Sequence, residues 1–208
     1  MRSGVPILLL LGGCVRVSGL PDVGACAEYT EGTYEYGQID IGSCLAGPNE
    51  IQFVGEDDEL TLLVSNANPY RLFTGGNLLA IPWANIDLGD ETNEIHTLDP
   101  VALALPNFAA GLAIDQQTGF IGVRESPDAR TRVWDDSVLL LDLTDPQNPR
   151  HLNRGPNGTD SVTVMSDPVD VVVDGENGMA FVANRTSHKI SVLDITGDEV
   201  VTIDPWPE

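Results

Sequence analysis

Val169-Asp170-Val171-Val172-Val173-Asp174, Gly175-Glu176-Asn177-Gly178, Met179-Ala180-Phe181-Val182-Ala183-Asn184 is the stretch whose reading decides the fold. Two strand-length runs rich in β-branched and apolar residues flank four turn formers, and Gly and Asn supply the positive φ that a tight reversal demands. The pattern predicts a hairpin. A third strand over Lys189 to Ile195 and a fourth over Glu199 to Ile203 follow after short loops, so the segment reads as one antiparallel meander.

The same punctuation, short apolar runs between clusters of Gly, Pro, Asn and Asp, extends back to Gly47. Val64-Ser65-Asn66, Val123-Arg124-Glu125 and Val182-Ala183-Asn184 are evenly spaced along the chain. Each follows an apolar strand (around Ile51 to Val54, Leu112 to Asp115 and Val169 to Asp174). Each precedes another (Leu78 to Ile81, Val138 to Asp142 and Ile190 to Asp194). Three copies of a four-stranded unit are expected over residues 47–208.

Phe181-Val182-Ala183-Asn184 followed by Ile190-Ser191-Val192-Leu193-Asp194, with Asp167-Pro168 opening the unit, resembles the YVTN-type β-propeller repeat. Leu63-Val64-Ser65-Asn66 is a fair second match, while the middle copy has Arg124-Glu125 where Thr-Asn belongs. The resemblance implies an all-β fold, a β-propeller of four-stranded antiparallel blades with about three blades present, and speaks to fold rather than activity. The strand and turn signals alone also fit an antiparallel sandwich. Propellers close with about four to eight blades, so three leave an incomplete ring with an apolar face at its end. A truncated form of a longer propeller is the favoured expectation. Self-association of two copies through the open blade face is the alternative.

At the other end of the chain, Arg2 precedes the apolar run Val5 to Leu11, which Gly12-Gly13 breaks just before Cys14. That is the layout of a secretory signal, and the run is too short to span a bilayer. Leu11-Gly12-Gly13-Cys14 resembles the lipobox of bacterial lipoproteins. The resemblance implies a signal peptide over 1–13, cleavage before Cys14 and lipidation of its sulfur, with 14–46 as a tether and lead-in. An ordinary signal cut at Val23-Gly24-Ala25 competes, but that site lies well past the apolar run. Assigning Cys14 to lipid leaves Cys26 and Cys44 as one pair for an oxidising compartment, worth roughly 3 kcal/mol if bridged, against two free thiols. Val15 after the cysteine lacks the aspartate associated with inner-membrane retention, so the resemblance implies the outer membrane of a Gram-negative bacterium.

Charge narrows the partners. The 208 residues carry 32 acids against 10 bases, a net charge of −22, with a pI near 4.1. Nucleic acid is bound through clustered Lys and Arg, and here Lys189 is the one lysine, so DNA and RNA are excluded as partners. Anionic lipid should also repel the chain, which leaves acyl chains as the means of membrane attachment. The acidic excess fits either a salt-rich habitat or a cationic partner.

Catalytic patterns are lacking. His96, His151 and His188 have no paired metal-ligand spacing and read as surface residues, and neither a Gly-x-Ser-x-Gly elbow nor a phosphate-binding loop is present. The acidic pairs Asp57-Asp58 and Asp135-Asp136, and Asp170 with Asp174, read as solvated turn residues. They leave Ca²⁺ as the one cofactor open to consideration. The sequence therefore favours a non-enzymatic binding or scaffolding surface with a protein or cell-wall partner. Its rival is a propeller enzyme, lactonase-like or quinone-dependent dehydrogenase-like by resemblance, with an acidic, metal-assisted central site.

Overall fold

Thirteen β-strands in three antiparallel sheets, taken up in strict chain order, build the described part of the computed structural model. It describes residues 43, 45, 47–68, 75–86, 100–124 and 136–203. Cys14, Cys26, Cys44, His96 and Asp135, and with them the lipidation and disulfide expectations, lie outside these residues. No α-helix occurs among the described residues.

The first sheet is the meander β1 (Pro48–Val54), β2 (Thr61–Asn66), β3 (Gly76–Pro82) and β4 (Val101–Leu105). The second runs β5 (Leu112–Asp115), β6 (Thr118–Val123) and β7 (Ser137–Asp142). Its outer edge is split: β8 (Arg150–His151) pairs with one end of β7 and β9 (Ser161–Thr163) with the other. The third runs β10 (Pro168–Asp174), β11 (Met179–Asn184), β12 (Lys189–Asp194) and β13 (Val201–Ile203). The expected hairpin is β10–β11. Its turn is closed by Asp174, whose carboxylate accepts from the Asn177 backbone N–H at 3.2 Å and from Asn177 Nδ2 at 2.7 Å, and by Gly178 at φ 67°.

Burial explains why the three sheets read differently in sequence. Strand β11 alternates exposed and buried residues, the signature of a sheet covered on one side. Strand β7 is buried almost throughout, because the middle sheet is covered on both sides. One side gives Leu112, Ile121, Leu139 and Leu141 to a core shared with Leu63, Leu78 and Ala80 of the first sheet. The other gives Phe120, Val138 and Leu140 to a core shared with Val171, Ala180, Val182 and Leu193 of the third. Each buried Leu, Ile, Val or Phe side chain among these contributes about 1.5–3 kcal/mol.

The hydrogen-bond register corrects the expected repeat alignment. In every sheet, the residue just after the third strand donates its N–H to the carbonyl just before the second. Trp83 pairs with Leu60 at 2.8 Å, Leu143 with Gln117 at 2.8 Å and Ile195 with Gly178 at 3.0 Å. Counting from those carbonyls, Val64 and Val182 correspond to Ile121 rather than to Val123. The middle copy of the motif is thus Phe120-Ile121-Gly122-Val123, two residues earlier than equal spacing suggests, because the turn between β5 and β6 is shorter than its counterparts in the other two sheets. Val123 then stands where Asn66 and Asn184 stand.

The equivalence also identifies uncovered faces. Ile190 is 60% exposed, whereas its counterparts Leu78 and Val138 are both at 0%. Phe181 is 36% exposed, against 0% for Leu63 and 1% for Phe120. With Val172 and Ile203, these residues make the outer side of the third sheet an apolar surface. Ile51 and Phe53 are similarly exposed on the far side of the first sheet.

Candidate functional site

The first strands β1, β5 and β10 lie side by side, since β10 packs on β5 and β6, and β1 on β5. Asn49 Nδ2 donates to the Ala109 carbonyl at 3.2 Å, tying the first sheet to the approach of the second. Gly122 permits the next junction: a Cβ there would stand 3.2 Å from Pro168 Cβ and 3.3 Å from Ala110 Cβ. The starts of the three first strands are thereby gathered at one end of the stack, and the ionic groups collect there.

Asp167 is the hub. It precedes Pro168 with φ at 67°, a left-handed conformation that Asp tolerates better than most residues, and its side chain is only 12% exposed. Its N–H donates to Asp136 Oδ1 at 3.0 Å, and Ser166 Oγ donates to Asp136 Oδ2 at 3.0 Å. Its carboxylate accepts from Arg124 Nη1 at 2.7 Å, Arg185 Nε at 2.8 Å and Thr186 Oγ1 at 2.9 Å. Burial alone would raise the Asp167 pKa. The bonds from Arg185, Thr186 and Arg124, with the Arg124 charge, outweigh it and hold the carboxyl below the ordinary carboxylate value. Arg124 also lies over the Phe108 ring at 4.8 Å from its centroid, a cation–π contact.

Two open clefts of about 360 Å3 flank this hub. One is lined by Phe108, Arg124, Asp136, Ser166, Asp167 and Thr186. The other lies where the first strands begin, between Pro48, Ala110 and Pro168, with Ala67, Arg124 and Arg185 on its rim. These three rim residues are repeat equivalents: each directly follows the last residue of the second strand of its sheet, namely Asn66, Val123 and Asn184.

The residues singled out from sequence are dispersed. His151 is exposed, its ring nitrogens 3.2 Å from Asp160 Oδ2 and 3.2 Å from the Ala104 carbonyl, and His188 is exposed in the β11–β12 turn. Asp57 and Asp58 sit in a 3-10 turn, Asp174 closes a hairpin, and only Asp136 joins the hub. Among the described residues no three His, Cys, Asp or Glu side chains converge as a metal group would. No described helix is long and apolar enough to cross a membrane. Arg124 stood in the sequence only as a mismatch to the repeat motif and Arg185 had no site role, but with the register corrected their shared place after the second strand is a signal.

No family model matches the chain, and no curated protein matches it. Among solved structures, a chain titled Kuenenia stuttgartiensis hydrazine synthase is similar, with a TM-score of 0.48 and 17% identity over 85% of this chain. The match spans 38% of that chain's length.

Proposed function

We propose that this is a lipid-anchored cell-envelope protein, placed in the outer membrane, that presents consecutive β-propeller blades as a non-enzymatic binding or scaffolding surface. The observation that carries the reading is the quasi-repetition of the three sheets. Their first strands lie side by side, equivalent residues fill each interface, and the equivalents of fully buried residues are exposed on the third sheet. Such a face is where a propeller ring continues into a further blade. The anchor part rests on Leu11-Gly12-Gly13-Cys14, since a chain of net charge −22 needs acyl chains to stay on an anionic bilayer.

Binding is favoured over an acid-and-metal centre by the state of the hub. Of the two carboxylates lining the cleft beside Phe108, Asp167 is already held by two guanidinium groups and a hydroxyl, and Asp136 accepts from Ser166 Oγ and the Asp167 N–H. Growth with labelled palmitate and fractionation of the envelope test the anchor. The label and the outer-membrane pool should both be lost in Cys14→Ser. Retention of that variant in the membrane, or absence of label from the unaltered chain, would refute the assignment.

A further inference from the structure

We infer that the cleft at the start of the first strands is a binding site for a small organic acid, an apolar body bearing one carboxylate, recognised by Arg185 and Arg124. The inference deepens the binding reading above and rests on it for the position of the cleft at the mouth of the stacked sheets.

Arg185 spends only Nε on Asp167, and both of its Nη atoms are without a protein partner among the described residues. Its side chain is 65% exposed at the rim. Arg124 spends Nη1 on Asp167 and is braced from below by Phe108, so its remaining donors are held in a fixed plane. A guanidinium with two parallel N–H groups unspent matches the two oxygens of a carboxylate. Asp167 fixes both forks without lining this cleft, where Arg124 and Arg185 are the only ionisable side chains among the described residues.

The rest of the lining chooses among anions. Pro48, Ala110, Phe108 and Pro168 offer apolar walls, and about 360 Å3 is at the small end of ligand-sized clefts. A strongly hydrated inorganic anion gains nothing from such walls, whereas an apolar acid buries its body there. The net charge of −22 also repels large polyanions, so the cleft favours a compact monoanion whose apolar contacts add to the local arginine charge.

Titration calorimetry on the purified full chain tests this with phenylacetate, its neutral counterpart phenethyl alcohol, and inorganic phosphate. Saturable binding of phenylacetate is expected, at least about tenfold tighter than the alcohol or phosphate and weakened by added salt. Arg185→Gln should weaken phenylacetate at least about tenfold, while Arg150→Gln, on the outer edge of the second sheet, should leave it unchanged. If Arg185→Gln fails to fold, as read by circular dichroism, Arg185→Lys serves instead. It keeps the charge without the fork and should give an intermediate affinity. No saturable binding, equal binding of alcohol and acid, phosphate binding as tight as phenylacetate, or unchanged affinity in the folded Arg185 variant would each overturn the inference. Fractionation of the envelope is a separate readout: a chain found off the membrane that still binds phenylacetate through Arg185 would end the anchor reading and leave this one intact.

Discussion

Replacing Asp167 by Asn removes one negative charge from the junction of the second and third sheets and changes little else. Asn keeps an oxygen for the Thr186 hydroxyl and tolerates the left-handed φ of 67°. The Arg185 pair is largely exposed and contributes no more than about 1 kcal/mol. The Arg124 pair is better covered, at 29% and 12% exposure for its two side chains, and a charge-assisted bond of this kind contributes about 1.5–3 kcal/mol. Because both guanidiniums share one carboxylate, the two contributions do not simply add, and about 2 kcal/mol is expected for Asp167→Asn. For a domain of this size that lowers the Tm by about 4–8 °C. Asp167→Ala loses the Thr186 bond and places a side chain ill-suited to this φ, costing about 1–2 kcal/mol more. The folded-state pKa of Asp167 is lowered, so its ionised form stabilises the fold above the unfolded carboxylate pKa, near pH 4. That stability is lost as pH falls through the lower folded value. Urea denaturation at stepped pH should therefore show a gap between the unaltered chain and Asp167→Asn that is full at pH 7 and shrinks below about pH 4. A gap under about 0.5 kcal/mol at pH 7, or one that ignores acid, would refute the view that the hub joins the second and third sheets.

The uncovered face makes a paired prediction. Val138→Asn and Ile190→Asn alter equivalent positions, yet Val138→Asn should cost about 3 kcal/mol in urea denaturation and Ile190→Asn under about 0.5. Equal penalties would mean that the outer side of the third sheet is covered in solution. Glycines at positive φ should separate in the same way. Gly158→Ala, at φ 73° with open space around it, should cost about 1 kcal/mol. Gly178→Ala, at φ 67° with its new Cβ driven into Thr196 Cγ2, should cost distinctly more, and matching melting temperatures for the two variants would contradict the geometry.

Much of the fold could be read from the residues because its information is local. The Val169–Asn184 hairpin rests on strand-length apolar runs and a Gly-rich turn, features that act within a few residues, and the strands around Leu112, Val138 and Ile190 were legible for the same reason. Register was less legible. Equal spacing of Val64, Val123 and Val182 suggested one alignment, but register is set by cross-strand pairing and by turns of unequal length. The β5–β6 turn is two residues shorter than the β10–β11 turn, which shifts the middle copy onto Ile121. The broken outer edge of the second sheet was also hidden, because the segment between β8 and β9 looks in sequence like any loop. The hub was invisible for a third reason. Arg124, Asp167 and Arg185 are far apart in the chain, and only the packing of β10 on β5 and β6 brings them together.

With the register corrected, the cleft becomes a property of the repeat rather than of one loop. The residue after the second strand is Ala67 in the first sheet, Arg124 in the second and Arg185 in the third, and all three line the same rim. The second strand ends on a buried polar or apolar residue that fixes the position. Asn184 donates to the Val182 carbonyl at 2.9 Å and to Ser191 Oγ at 3.0 Å, and Asn66 donates to Asn77 Oδ1 at 2.6 Å. Because these ends are anchored to the neighbouring strand, the next residue is aimed at the mouth whatever its identity. One position per sheet therefore sets the charge of the rim while the stacked cores remain untouched. That arrangement lets a strongly acidic chain hold a local patch of positive charge: the arginines occupy the rim positions, and Asp167 lies behind them where it orients both without facing the cleft.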